Sequence, residues 1–354
     1  MSPDDYPAGL WPWERCHVAY GGTRHTARVR GYFIRRYEFD DFLLRESGAD
    51  LLTDRGVKRA VRHDDGTWVL DDALRAPYVI GAGGTHCPIA RAIAERRPKP
   101  PVGVQEREFL AGAAEVADTR VGEDGEPELL IHDDLRGYSW NVPKSDWLNV
   151  GSGTVSAREV RAAWQRARGY FEREGHLPPS AAEELERVQG HSYYLFHPHH
   201  LQSCHKGGAL LVGDALGLAH PITAEGIYPG ILSARIAADA LRRGEPERYR
   251  ERLEAHPAIA NFEVVFHARE WGARLASRRS GRRADTAQPQ RGGRASSGVS
   301  RIGRAALAHG FAHLFAGGVL PGAKLARHVA KAAARAVPVE SDSQAPPPAS
   351  RSAG

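Results

Sequence analysis

LLVGDALGLAHPITAEGIYPGILSARIAADAL, residues 210–241, combines a strand, a turn and a helix in one segment. An apolar run predicts a buried strand that ends at Gly213 and Asp214, and helical spacing resumes near Glu225 and Gly226. A carboxylate at the end of a parallel strand is placed to hold sugar hydroxyls, and the N–H groups that begin the helix attract an anion. Two interpretations are open: a nucleotide-binding unit, or a core unit in which Asp214 is only a cap.

A second glycine segment, PYVIGAGGTHCPIARAIAERR (residues 77–97), resembles the dinucleotide fingerprint G-x-G-x-x-G. Gly81 and Gly83 fit its first two positions, but His86 occupies the third, where glycine permits close helix–strand packing. Prolines between residues 98 and 101 also crowd the next strand. The segment is therefore a fingerprint, a strand-end turn without a ligand, or a loop that touches a cofactor without being its main phosphate site.

Composition indicates a globular chain of two domains, or one large domain with an appendage. Of 354 residues 42% are hydrophobic, which is enough for a core. The three cysteines form no closely spaced pair, so neither a disulfide framework nor a zinc site is expected. No apolar run is long enough to span a membrane and the N-terminus carries no secretory signal pattern, so we expect a cytoplasmic protein. The histidines of GHSYYLFHPHH (190–200) lack carboxylate or thiol partners, and strand alternation predicts His197 and His199 opposite His200; no metal site is expected.

Local patterns predict the remaining elements. Residues 1–30 are predicted to be irregular around a Gly21-Gly22 turn, and 35–47 are predicted to be helical. A β-meander is expected around the Asp65-Gly66 turn, and a second β region over 126–153. The helix over 156–174 is predicted to begin at a capping box formed by Ser156 and Glu159.

Four ordered motifs carry a resemblance to a known family. The run G-D-A-x-G-x-x-x-P-x-x-x-E-G-I of residues 213–227 resembles the second FAD motif of the geranylgeranyl reductase family, which belongs to the flavoproteins built like p-hydroxybenzoate hydroxylase. Where that family usually has Gly before the Glu, this chain has Ala224. RRYEFDDFLLRESGA (35–49) is similar to the family's R-x-x-F-D-x-x-L-L segment.

The other two motifs show more departures. YVIGAGGTHCPIAR (78–91) is similar to the family's middle motif, with Gly83 or Gly84 in place of an acid and Cys87 in place of a serine. GYSWNVPKSDWLNVG (137–151) looks like its Y-x-W-x-F-P segment followed by N-V-G, with Val142 in place of Phe and Leu135 where a Pro is usual.

The resemblance implies a set of site residues. Arg36 would pair with a phosphate, Gly213 and Asp214 would hold the ribityl and pyrophosphate side, and residues 221–227 would face the isoalloxazine. The implied FAD contacts are Arg36, Gly81, Gly83, Gly84, Gly213, Asp214, Gly217, Pro221, Ala224, Glu225, Gly226 and Ile227. The implied substrate channel is lined by Tyr138, Trp140 and Pro143, for which ordinary sheet core is the alternative. Cys87 is the one catalytic candidate, with a small buried hydrophobe as its alternative.

The resemblance also implies a fold and an activity. We expect a mixed α/β chain with an incomplete FAD-binding Rossmann-like three-layer domain, an antiparallel-sheet substrate domain and a helical C-terminal region. The function expected is reduction of a prenyl-type double bond by reduced FAD, with NAD(P)H or reduced ferredoxin as electron donor. A flavin-dependent monooxygenase or halogenase is one alternative, and a non-catalytic remnant that does not bind FAD is another.

The expected domain boundaries follow from the same motifs. The family opens with a strand–G-x-G-x-x-G–helix unit that residues 1–30 do not contain, so the chain is expected to lack about 60 residues of the FAD domain. The expected divisions are 1–100 (remainder of the FAD domain), 101–204 (substrate domain), 205–260 (return to the FAD domain), 261–276 (a helix), 277–300 (a disordered basic linker), 301–337 (C-terminal helices) and 338–354 (a disordered tail).

The basic C-terminal segments raise one further expectation. RIGRAALAHGFAHLF (301–315) and KLARHVAKAAARAV (324–337) are partly amphipathic, which suits peripheral contact with an anionic membrane; packing on the flavin domain is the alternative. The Arg-rich linker lacks the aromatic residues and the fold that nucleic-acid binding requires, so no nucleic-acid partner is expected.

Overall fold

The computed structural model describes residues 5–94, 100–121, 125–267, 269 and 301–315. The strands are β1 (Trp11–Tyr20), β2 (Thr23–Phe33), β3 (Ala60–Arg62), β4 (Trp68–Leu70), β5 (Leu74–Ala76), β6 (Val79–Gly81), β7 (Val102–Leu110), β8 (Glu128–Ile131), β9 (Gly137–Lys144), β10 (Trp147–Thr154), β11 (Gln189–Tyr193), β12 (His205–Lys206) and β13 (Ala209–Leu211). The helices are α1 (Arg36–Glu46), α2 (Pro88–Ile93), α3 (Ala113–Ala117), α4 (Val160–Arg173), α5 (Ala181–Glu184), α6 (Gly213–Leu216), α7 (Ile227–Arg242), α8 (Tyr249–Ala255), α9 (257–267) and α10 (Arg301–Phe315). The mixed α/β class is confirmed.

A seven-stranded sheet in the order β11-β7-β10-β9-β8-β1-β2 forms the larger layer. Its pairs are antiparallel except for β1 with β8, which run parallel. Helix α4 packs on one face, where Trp164 and Phe171 cover Leu148 and Val150. Helix α10 packs on the other face against β1 and β2 and buries Ala308 there. The apolar side of 301–315 therefore covers the seven-stranded sheet, whereas segment 324–337 lies outside the described residues.

The expectation that residues 1–30 are irregular is wrong, because most of them form the β1–β2 hairpin. Its turn is at Gly21 and Gly22, both with positive φ as the glycine pair predicts. β1 gains its second neighbour from β8, and the backbone N–H of Arg15 donates to Glu126 Oε2 at 2.7 Å across 111 positions of sequence. A partner so distant leaves no local signal, and residues 11–33 thereby join the sheet of the 101–204 region.

A smaller sheet, β12-β13-β6, brings the two glycine segments together. β6 and β13 run parallel, with Gly81 beside Leu211, so both strands end at the same edge. The turns at 82–86 and 212–217 therefore emerge side by side, above a core that contains Leu210, Leu211 and Ala237. The β-meander predicted around Asp65-Gly66 is present as β3, β4 and β5.

Two local predictions need correction. The predicted capping box does not form: α4 begins at Val160 with Glu159 as its N-cap residue, and Ser156 only accepts a backbone bond from Glu159 N at 2.9 Å. His199 and His200 lie in a 3₁₀ segment, Pro198–Ser203, rather than on a strand, so their predicted alternation is wrong. The linker 277–300 and the tail 338–354 lie outside the described residues.

Candidate functional site

A cavity of about 920 Å³ opens where the two glycine turns meet α1, β11 and α7; we call it the cofactor cavity. Its lining joins segments that are far apart in the chain. The residues are Arg36, Phe39, Asp40, Leu43, Ala82, Gly83, Gly84, Thr85, His86, Gly190, His191, Ser192, Tyr193, Val212, Gly213, Asp214, Ala224, Gly226, Ile227, Gly230, Ile231 and Ala234.

The end of strand β13 is fixed to helix α7 by a buried serine. Gly213 has φ of +52°, a conformation that favours glycine, and its N–H donates to Ser233 Oγ at 2.9 Å. Ser233 in turn donates to the carbonyl of Pro229 at 2.7 Å, within the first turn of α7. These bonds hold Gly213 and Asp214 at the floor of the cofactor cavity.

Asp214 has a buried carboxylate oxygen whose hydrogen-bonding capacity is unsatisfied among the described residues. Its Oδ1 is buried and has no hydrogen-bond partner among the described residues. Burial raises the pKa of Asp214, and the charges of Arg36 and His191 lower it only in part. A Cβ on Gly226 would lie 3.1 Å from this oxygen, so glycine leaves room for a ligand hydroxyl.

Loop 220–226 forms the wall beside Asp214 and is tightly hydrogen-bonded. His220 Nδ1 accepts from Ile222 N at 3.2 Å and from Thr223 N at 3.1 Å. Burial lowers the pKa of His220 to about 4, so the ring is neutral at pH 7 and remains an acceptor. Ala224 has φ of +59°, the left-handed conformation that the glycine of the resembling motif would adopt without strain.

Eight of the twelve predicted cofactor contacts line the cofactor cavity, namely Arg36, Gly83, Gly84, Gly213, Asp214, Ala224, Gly226 and Ile227. Gly81 lies beneath it, where a Cβ would be 2.7 Å from Leu211. Gly217 ends α6 with φ of +81°. Glu225 Oε1 accepts from Tyr228 N at 2.8 Å and so caps the start of α7.

The catalytic candidate Cys87 is buried behind the glycine turn. Its Sγ lies 3.6 Å from the position a Cβ on Gly83 would occupy, and it belongs to the apolar cluster with Ile89 and Leu211. It is absent from the cavity lining. This position matches the alternative interpretation, that of a small buried hydrophobe.

A second cavity, the apolar pocket, has a volume of about 220 Å³ and lies between the large sheet and α10. Its lining consists of Val102, Ile131, Leu135, Arg136, Gly137, Tyr138, Trp140, Gly153, Thr154, Val155, Tyr193, Leu195, Pro221, Ile222, Ala224, Arg269, Leu307 and Phe311. Pro221, predicted as a cofactor contact, lines this pocket instead. Among the described residues, this lining contains Arg136 and Arg269 but no carboxylate.

Strand alternation separates the three predicted substrate residues. Tyr138 and Trp140 project from β9 into the apolar pocket. Pro143 is buried at an odd-numbered position of the same strand, as are Ser139 and Asn141, and it is absent from both cavity linings. Because successive side chains of a strand alternate between faces, a Tyr138–Trp140 face cannot include Pro143.

Tyr138 links the apolar pocket to loop 220–226. Its hydroxyl donates to the Thr223 carbonyl at 2.6 Å, and its ring meets Phe311 edge-on at 4.8 Å between centroids. Burial raises the pKa of Tyr138 well above its usual value, so the hydroxyl keeps its proton and donates. The pocket and the cofactor cavity are therefore built on the same loop.

Sequence reasoning missed several residues of both cavities. His191 and Tyr193, on edge strand β11, carry no motif and were expected only as part of a β-like run. Arg269 reaches the pocket from just beyond α9, where its Nη1 donates to the Pro221 carbonyl at 2.8 Å. Alternation in HSYY offered a signal for His191 and Tyr193; nothing local to Arg269 indicated its position.

The chain is similar in sequence to known reductases. No protein-family model matches the chain. Over 178 residues it is 31% identical to the geranylgeranyl diphosphate reductase of Synechocystis sp., covering 48% of this chain and 39% of that one. It is 27% identical over 232 residues to the digeranylgeranylglycerophospholipid reductase of Methanoculleus marisnigri, covering 61% and 56%. The chain therefore spans only about half the length of these relatives or less, namely 56% of the Methanoculleus protein and 39% of the Synechocystis protein.

Solved structures agree on the fold. A geranylgeranyl bacteriochlorophyll reductase-like protein from Thermoplasma acidophilum superposes with a TM-score of 0.51 at 17% identity, over 75% of this chain and 73% of that one. The flavin-dependent brominase Bmp2 also gives 0.51, at 15% identity, over 73% and 71%.

No three His, Cys, Asp or Glu side chains in the described ranges lie close enough to hold a metal ion. Within the same ranges, none of the helices has the length and apolarity needed to cross a bilayer.

The resemblance to the geranylgeranyl reductase family is confirmed by these relatives, and the chain has the fold of FAD-binding, Rossmann-like flavoproteins.

Proposed function

We propose that this chain is an FAD-dependent oxidoreductase that reduces a double bond in an apolar, isoprenoid-type substrate. The observation that supports this most directly is that a polar, glycine-walled cavity adjoins an apolar pocket, with Tyr193 and Ala224 in both linings. Two relatives support an isoprenoid-type substrate, because their names, geranylgeranyl diphosphate reductase and digeranylgeranylglycerophospholipid reductase, describe substrates of that class.

The residues of the cofactor cavity fit FAD. The buried Asp214 Oδ1 lacks a donor among the described residues, and a ribityl hydroxyl of bound FAD would supply one. Gly83, Gly84 and Gly226 present no side chain, so backbone can approach a phosphate or a flat ring. Arg36, which pairs with Asp40 at 2.9 Å on the exposed rim, is placed to bind a phosphate.

The roles of the chain's own residues follow from this placement. FAD, when bound in its reduced form, would supply a hydride to one carbon of the double bond, and a proton delivered to the other carbon would complete the reduction. Trp140, Leu195 and Phe311 exclude water from the substrate and hold its apolar body. Arg136, whose guanidinium lies 3.5 Å from the Glu159 carboxylate, and Arg269 are the cations of the described lining and would attract an anionic group on the substrate. Tyr138 holds loop 220–226 between substrate and cofactor through its bond to Thr223.

Absorbance near 450 nm tests cofactor binding. The purified chain, after addition of FAD and removal of the excess, is expected to retain a flavin spectrum. Failure of the purified chain to retain bound FAD would overturn the proposal. The electron donor is proposed to be NAD(P)H or reduced ferredoxin, and anaerobic bleaching at 450 nm by each donor identifies it.

A second measurement separates the proposed reductase from a monooxygenase or halogenase. A reductase consumes no oxygen in proportion to substrate, whereas an oxygenase does. Substrate-dependent oxygen uptake by the FAD-loaded chain would therefore replace the reductase proposal with the oxygenase alternative.

A further inference from the structure

Two residues form the boundary between the cofactor cavity and the apolar pocket. Tyr193, at the end of β11, and Ala224, in loop 220–226, are the residues common to the two linings. Because both residues line both cavities, a ligand that extends from the apolar pocket into the cofactor cavity is expected to contact both side chains.

The Ala224 side of this boundary is held firmly. Ala224 N donates to the His220 carbonyl at 3.0 Å, and His220 N donates to the Glu225 carbonyl at 2.8 Å. The neighbouring carbonyl of Thr223 receives the Tyr138 hydroxyl at 2.6 Å. Hydrogen bonds on both sides keep Ala224 in its left-handed conformation, so its methyl group cannot move aside easily.

The Tyr193 side is a ring on a paired strand. Tyr193 is opposite Val102 in the β11–β7 ladder, and its ring stacks on His191 at 5.8 Å between centroids. It packs with the buried cluster of Val102, Leu195 and Ala219. Burial raises the pKa of Tyr193, so the ring presents a neutral phenol to an apolar ligand.

The apolar pocket is too small to enclose a long chain. Its volume of about 220 Å³ is below the roughly 300–1,000 Å³ typical of pockets that enclose a small-molecule ligand. A long apolar substrate must extend past one end of the pocket. On the side of the cofactor cavity, that end is bounded by Tyr193 and Ala224, which line both cavities.

We propose that Tyr193 and Ala224 form a size-selective passage that admits an acyclic isoprenoid chain to the cofactor cavity and excludes fused or caged rings. The passage rests on the proposed function only in taking the cofactor cavity as the place of reaction. Its selectivity is steric: it depends on the Tyr193 ring and the Ala224 methyl group, and not on the phenol hydroxyl.

A tethered ligand tests the passage without FAD. Ile222 is 37% exposed at the pocket mouth, whereas Cys16, Cys87 and Cys204 are buried, so an Ile222→Cys variant is labelled at one place. One thiol reagent carries a farnesyl chain, and the other carries an adamantyl cage on a spacer of the same length. Attachment at the mouth prevents entry from the open side of the cofactor cavity.

Isoleucine methyl NMR reports how far each group reaches. Ile131 lines the apolar pocket, Ile227 and Ile231 line the cofactor cavity, and buried Ile259 is a control for overall folding. The farnesyl chain is expected to shift the Ile131, Ile227 and Ile231 signals. The adamantyl cage is expected to shift Ile131 and to move Ile227 and Ile231 by less than a linewidth.

Variants of the boundary give the decisive comparison. Tyr193→Ala and Ala224→Gly, each added to the labelled chain, are expected to let the cage shift Ile227 and Ile231, and Tyr193→Phe is expected to retain exclusion. Ala224→Gly relieves backbone strain, so it remains informative if Tyr193→Ala does not fold. The same labels on Leu110→Cys, an exposed position in neither lining, are the control and should shift none of these signals.

Several results would overturn the passage. They are a cage that reaches Ile227 in the unaltered boundary, a farnesyl chain that stops at Ile131, a cage still excluded from both opened variants, and a Tyr193→Phe variant that behaves like Tyr193→Ala. No measurement in this series needs flavin. Failure to bind FAD would therefore refute the proposed function, whereas the NMR shifts would still test the passage.

Discussion

Replacing Asp214 by Asn should stabilise the cofactor-free chain and weaken FAD binding. Asp214 Oδ1 is buried without a partner among the described residues, and burial raises the pKa of the carboxyl. An unsatisfied buried polar group costs about 1–3 kcal/mol, and more when it is charged. The neutral amide removes the charge, so we expect the free energy of unfolding at pH 7 to rise by about 1 kcal/mol or more. That corresponds to about 2–4 °C in Tm per kcal/mol for a domain of 150–250 residues.

The pH dependence has a definite sign. A carboxyl whose pKa is raised on folding destabilises the folded state once it ionises, so wild-type stability falls as pH rises through the folded pKa. The advantage of Asp214→Asn is therefore largest at neutral pH and closes as pH falls towards 3.8. Asp239→Asn is the matched control with opposite sign, because hydrogen bonds from Arg242 and Arg243 lower the pKa of Asp239.

The same change should cost FAD affinity. The amide oxygen of Asn still accepts a hydrogen bond, so the expected loss is the difference between a charged and a neutral bond, about 1–1.5 kcal/mol, which corresponds to a Kd for FAD raised about 5- to 13-fold. Thermal unfolding from pH 4 to 8 and titration at 450 nm measure the two effects. A variant that is less stable at pH 7 than the wild type, or one that binds FAD equally well, would refute this account of Asp214.

Three further changes test the loop and its supports. Tyr138→Phe leaves the Thr223 carbonyl without its 2.6 Å donor and should cost about 1–3 kcal/mol in denaturant unfolding; an unchanged midpoint would contradict that bond. Ala224→Gly removes the strain of a left-handed conformation, which costs a non-glycine residue about 1–2 kcal/mol. Glycine also increases the conformational entropy of the unfolded chain, which lowers stability by about 0.5–1 kcal/mol. The free energy of unfolding should therefore rise by about 1 kcal/mol or less, and Leu135→Gly (φ +58°) should have the same effect. A clear loss of stability in Ala224→Gly would count against strain at this position. His220→Asn should reduce the acid sensitivity of stability between pH 6.5 and about 4, because the lowered pKa of His220 makes the unfolded state bind more protons in that window; equal pH slopes in both proteins would exclude His220 as a cause.

Local patterns predicted α1, the β3–β5 meander and the strand–turn–helix around Gly213 well, because each depends on neighbours in sequence. They failed for β1 and β2, whose third partner β8 follows more than 100 positions later. They also failed for Pro143, although the alternation of Tyr138 and Trp140 already excludes it from their face.

The amino-acid sequence by itself determined where strands end in glycine, where Asp214 stands relative to α7 and which motifs resemble those of geranylgeranyl reductases. These are local properties of spacing, turn chemistry and helix start. Only the tertiary structure decided that β6 and β13 lie side by side, so that PYVIGAGGTHC and LLVGDALG wall one cavity from two sides. It likewise decided that Tyr193 and Ala224 line both cavities, because that placement depends on β11 joining β7 at the edge of the large sheet. Pairing between distant strands is fixed by burial and hydrogen bonding across the whole fold, which no single segment encodes.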